Sequence, residues 1–152
     1  MWSSAAGFHV ENERAKRLRH SGVQVGELIG YRAWRSIELG RWLGHDDRLR
    51  SVFISDYVWD PDKPASGDVE VHGIYSFRKA IRSMENYGRT FGRGPLLFGK
   101  VKIWGEVVEH EWGYRSQFAR IISLDYGDGE LLERFRLIYG VNLAATLGIR
   151  DA

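Results

Sequence analysis

Lys100, Lys102 and Trp104 stand at every second position of one apolar-rich stretch, and this spacing is the most suggestive chemistry in the chain. On an extended strand residues two apart share a face, so these three project together while Val101 and Ile103 project the other way. Core packing explains a tryptophan on a lysine face poorly, unless Gly105 marks a bulge that resets the register. Flat rings flanked by cations are what nucleotide bases and phosphates need. Two other clusters mix rings with cations: Tyr31, Arg32, Trp34 and Arg35, and then Trp112, Tyr114 and Arg115 near His110. Basic residues also gather between positions 78 and 102. There Arg78, Lys79, Arg82, Arg89, Arg93, Lys100 and Lys102 face Glu85 alone. The candidate nucleic-acid-binding set is therefore Arg32, Trp34, Arg78, Arg82, Arg89, Arg93, Lys100, Lys102 and Trp104. His110, Trp112, Tyr114 and Arg115 form a possible pocket.

Other reactive residues give less. The histidines are His9, His20, His45, His72 and His110, and none pairs at i, i+2 or i, i+4 spacing. A metal site would need distant segments, such as His72, His110 and Glu109 or Glu111. Glu109 and Glu111 share a strand face, and a partly buried pair of this kind suits acid–base work; a solvated hairpin edge is the plainer reading. The run from Thr90 to Pro95 is glycine-rich and basic, but a strand follows it, so no helix N-terminus faces a phosphate. There is no GxGxxG before a helix, no GxxxxGK[ST] and no GxSxG. No motif calls for a cofactor, and no catalytic residue is assigned. Without cysteine, disulfides and thiolate metal sites are excluded.

The chain has 152 residues, of which 43% are apolar and 28% charged. These values suit one globular domain. No apolar run approaches the roughly 20 residues of a membrane helix, and the N-terminus lacks the pattern of a secretory signal. The expectation is a cytoplasmic protein that does not enter the membrane. The net charge is only +2, but it is unevenly spread. Acids dominate positions 56–70 and 106–130, flanking the basic stretch. Such blocks make a two-faced field or neutralise one another across a sheet.

The elements that must position these residues follow from periodicity. Residues 1–22 read as an extension, with 11–20 a frayed helix or a mobile basic arm, because a helix there would bury little. Residues 24–39 alternate with period two, with Ile29, Tyr31, Ala33 and Ile37 on one face and Arg32 and Trp34 on the other. Residues 49–59 form a second strand or bent pair, 60–68 a loop by turn chemistry, and 69–75 a short strand. Then the period changes. Phe77, Ala80, Ile81, Met84 and Tyr87 recur at spacings of three and four, predicting an amphipathic helix with Ser76 as N-cap. Residues 95–109 and 114–126 make the best hairpin. Residues 130–139 form a second amphipathic helix, ended by Gly140 in the left-handed conformation, and Asn142 caps a last short turn. The predicted class is α+β over residues 23–152: a strongly curved, mostly antiparallel sheet or small open barrel with two amphipathic helices.

Four stretches carry a resemblance: Gly30-Tyr31-Arg32-Ala33-Trp34, Trp59-Asp60-Pro61, His72-Gly73-Ile74-Tyr75, and Trp104 through Arg115. Together they resemble a group of bacterial and phage proteins to which no activity attaches. The resemblance spans roughly residues 28–140, and implies one coherent domain and a bacterial or phage setting.

Three functions are compatible with these features. A non-enzymatic nucleic-acid-binding module fits the basic stretch and the ring–cation clusters. A protein–protein interaction factor of phage or mobile-element origin fits the same surplus of aromatics. A small nucleotide-binding sensor or enzyme would use Glu109, His110 and Arg115 in the sheet concavity, and no motif supports it.

Overall fold

β-branched and aromatic residues alternating with polar ones put most of the described chain into strands. The structure, a computed structural model, describes residues 16–20, 28–40, 44–52, 57–80 and 96–146. In chain order the strands are β1 (Lys16–His20), β2 (Leu28–Arg35), β3 (Glu38–Gly40), β4 (Gly44–His45), β5 (Leu49–Ser51) and β6 (Val58–Trp59). They continue with β7 (Ala65–Ser66), β8 (Ile74–Phe77), β9 (Leu96–Glu109) and β10 (Gly113–Gly127). Two helices follow, α1 (Gly129–Tyr139) and the single turn α2 (Leu143–Thr146).

The long antiparallel hairpin of β9 and β10 is the spine. The other side of β9 is shared. Its C-terminal part pairs with β1, from Lys16↔Glu109 to His20↔Gly105. Its N-terminal part pairs with β2, from Leu28↔Ile103 to Arg35↔Leu96. On this side of β9, Trp104 has no register partner among the described residues. β8 pairs with β10 and also meets β2 at Tyr31↔Phe77, so β9, β10, β8 and β2 form a ring. β5 and β6 extend the sheet from β2.

Bulges bend this spine, as an extra residue on one strand does. Between the Trp104↔Phe118 and Phe98↔Tyr126 pairs β10 advances further than β9, with register shifts at Ile121/Ser123 and Leu124/Tyr126. Gly105 supplies another irregularity, on β9. Its φ is +79°, a left-handed conformation that glycine adopts without steric cost.

The ring interior holds Trp34, Leu97, Val101, Ile103, Val107, Ala119 and Leu124, with Trp34 fully buried. Each large apolar side chain removed from water contributes roughly 1.5–3 kcal/mol. α1 covers one side, burying Leu131, Leu132 and Phe135. Asp128 caps it by accepting from Leu131 N at 3.1 Å. Gly140, at φ 67°, ends it with a left-handed residue, as its position in the sequence predicts. The Tyr139 hydroxyl ties the helix to the sheet, accepting from Leu49 N at 2.8 Å and donating to Trp59 O. Burial pushes its pKa up to about 12.

Two expectations need correction. The α+β class with two amphipathic helices does not hold: the described residues are mostly antiparallel sheet with one helix of more than a turn. The helix predicted from Phe77 begins instead as strand. Ser76 is no N-cap but a fully buried residue of β8, and Phe77 pairs with Gly113. Cross-strand pairing overrides the local helical period here; residues 81–95 lie outside the described residues. Near the N-terminus, Lys16–His20 is neither frayed helix nor free arm, because it completes the β9 ladder. The curved, partly ring-like sheet is present.

Candidate nucleic-acid interface

β9 sorts its side chains strictly up to Trp104. Leu97, Val101 and Ile103 are buried, whereas Phe98, Lys100, Lys102 and Trp104 are half-buried on the opposite, outer face. Gly105 does mark a bulge, but it follows Trp104, so the tryptophan stays on the lysine side. The register then adds neighbours. Tyr31 of β2 lies opposite Lys100, and Arg120 of β10 lies opposite Lys102. The Lys100 ammonium sits 6.0 Å from the Tyr31 ring centre, and that of Lys102 sits 5.8 Å from Trp104. Trp104 stacks on Phe118 at 5.7 Å and 24°, and Phe98 on Tyr126 at 5.2 Å and 27°. Three cations and five rings thus share one outer surface across β2, β9 and β10. Phe98, Phe118, Arg120 and Tyr126 were not singled out by sequence reasoning. Aligning the hairpin strands as cross-strand pairs would have pointed to them.

The remaining candidates go elsewhere. Arg32 and Trp34 face the ring interior, because β2 alternates with Tyr31 on the outside. Trp34 packs edge-on against Trp59 at 5.5 Å. The Arg32 guanidinium lies 5.0 Å over Trp59, donates to Ser51 Oγ at 2.7 Å and also donates to Tyr75 O. Neither belongs to the outer basic face. Arg78 is held at the hairpin tip, donating to His110 O, lying 5.4 Å over Tyr114 and pairing with Glu109 at 3.8 Å. Arg82, Arg89 and Arg93 lie outside the described residues.

The possible pocket at His110, Trp112, Tyr114 and Arg115 is a structural clamp. His110 and Tyr114 are buried, while Trp112 is 59% exposed at the turn. Arg115 Nε donates to His110 Nε2 at 2.9 Å, and its Nη1 donates to Val69 O at 3.0 Å. Accepting that bond requires a neutral imidazole with its proton on Nδ1. Burial, and then the Arg115 charge, lower the His110 pKa to about 4. Glu109 already pairs with Arg78, and Glu111 is exposed. Glu109, His110 and Arg115 therefore meet at the hairpin tip and not in the sheet concavity. Among the described residues no group of three His, Asp or Glu is placed to hold a metal ion. None of their helices is long and apolar enough to cross a membrane.

A groove of about 320 Å³ opens between the 59–63 turn, β10 and the C-terminus of α1. Trp59, Asp60, Lys63, Arg120 and Tyr139 are among its lining residues. The Tyr139 hydroxyl there is committed to two backbone groups.

Comparison with protein-family models, with curated proteins and with solved structures gives no match for this chain.

Proposed function

We propose that the protein is a non-enzymatic nucleic-acid-binding module that uses the outer face of β2, β9 and β10. The observation that carries this reading is the sharing of one sheet face by Lys100, Lys102 and Arg120 with Tyr31, Trp104 and Phe118. Cations supply affinity for phosphates through release of counterions, and rings accept bases. A sheet presents both on a rigid frame, so little ordering is needed on binding. The reading is tested by titrating labelled oligonucleotides at low and moderate salt. Three phosphate contacts on a single strand give a slope of log affinity against log salt of about −2. Absence of binding at low salt would reject the reading.

A second reading draws on the hairpin end. Trp112 and Val71 are 59% and 63% exposed, on two turns that Arg115 ties together. An exposed tryptophan beside a rigid turn suits a protein partner. Recovery of a stoichiometric protein partner that is lost in Trp112→Ala, with no affinity for polyanions, would favour it. Nothing in the groove favours the nucleotide-sensor reading over these two.

A further inference from the structure

We infer that the ligand of the outer face is a single strand, its bases stacking at two aromatic stations that bracket the lysine row. This rests on the nucleic-acid reading above. One station is Trp104 on Phe118, and the other is Phe98 on Tyr126. Lys100 and Lys102 stand between them on β9, with Arg120 beside Lys102. Phe98 and Trp104 are six residues apart, which spans about 20 Å at ~3.3 Å per residue. Duplex bases are stacked on one another and present only their edges in the grooves. Only an unpaired strand can offer base faces to rings at both ends of such a row. The row of cations then lies along the backbone that joins the stacked bases. At the ~3.4 Å rise of a stacked strand, the span corresponds to about six nucleotides. Stacking accepts any base, so the face discriminates strand state and length more than sequence.

Tyr126 makes the test clean because it is 54% exposed, so its truncation removes no core. Fluorescence anisotropy would compare oligothymidylates of two to ten nucleotides with a blunt duplex, each against the full chain. The expected result is affinity that climbs with length to about six nucleotides and then levels. Tyr126→Ala should weaken the long single strands by about five- to 150-fold without changing the salt slope. Tyr126→Phe should retain the affinity, and duplex binding should be weak and indifferent to both substitutions. Equal affinity for duplex and single strand, or no effect of Tyr126→Ala on the single strand, would overturn the inference and leave the nucleic-acid reading standing. No binding to any oligonucleotide at low salt would overturn both.

Discussion

Lowering the pH from 7.5 to 5.0 should destabilise the fold through one histidine. His110 is 3% exposed and accepts from Arg115 Nε, so the folded state holds it neutral, with a pKa near 4 instead of the ordinary 6.5. Because the folded pKa is depressed, the unfolded chain binds this proton first. The stabilising contribution is complete above pH 6.5 and drains away as pH falls toward 4. One pKa unit corresponds to about 1.4 kcal/mol, so the loss at pH 5.0 is about 2 kcal/mol and the limit near pH 4 about 3 kcal/mol. Asp46 does not confuse the window. Arg50 and Arg48 hold its carboxyl below 3.8 against the opposing effect of burial, so its contribution is lost only at lower pH. The assay is urea unfolding followed by tryptophan fluorescence at several pH values, for the wild type and for His110→Gln. Glutamine keeps an acceptor for Arg115 but does not titrate. The stability difference between the two proteins should shrink or reverse by about 2 kcal/mol between pH 7 and 5. A difference that stays flat, or an imidazole that titrates near 6.5 by NMR in the folded protein, would refute the buried Arg115–His110 bond.

Trp34→Ala should cost about 3–5 kcal/mol by opening a cavity against Trp59, and should lower Tm sharply. A mild effect on unfolding with a large loss of oligonucleotide affinity would return Trp34 to the surface. Gly105→Ala should cost at least about 1–2 kcal/mol, because a Cβ there meets a left-handed φ of +79° and Gln117 Oε1 at 2.7 Å. Denaturant unfolding measures this directly. Asp128→Ala should remove about 1 kcal/mol through loss of the α1 cap, with nucleic-acid affinity unchanged.

Much of the sheet was legible because strand periodicity is local. The alternation at Lys100, Lys102 and Trp104 gave their common face, and the faces of β2 followed from the same rule. The hairpin from Leu96 to Gly127 and the helix ended by Gly140 were legible for similar reasons. Which face of a strand is inside is not local. Arg32 and Trp34 looked like a binding pair, yet ring closure through β8 turns them inward, where Ser51, Tyr75 and Trp59 receive them. Ser76 and Phe77, read as the start of a helix, are strand residues of β8 paired with β10, and residues 81–87 of that predicted helix lie outside the described residues. The Trp104–Arg115 stretch, which looked chemical, is in large part architecture. Gly105 makes the bulge, and a Cβ on Gly113 would lie 2.0 Å from Ser76 O. His110 and Arg115 lock the turn. Only Trp104 of that stretch joins the basic face. Phe118, Arg120 and Tyr126 were hidden because their membership depends on a register that shifts three times along the hairpin.

Binding of a labelled single-stranded oligonucleotide to the wild type and to a Lys100→Ala, Lys102→Ala double variant, each across a salt series, is the decisive measurement. Both lysines lie on the outer face, so the variant should fold as the wild type does. The wild type should bind with an affinity that falls steeply with salt. The variant should bind more weakly, with the slope of log affinity against log salt reduced in size by about 1.4, or 0.7 for each lost phosphate contact. A folded variant with the wild-type affinity and slope would contradict a phosphate-contacting face on β9.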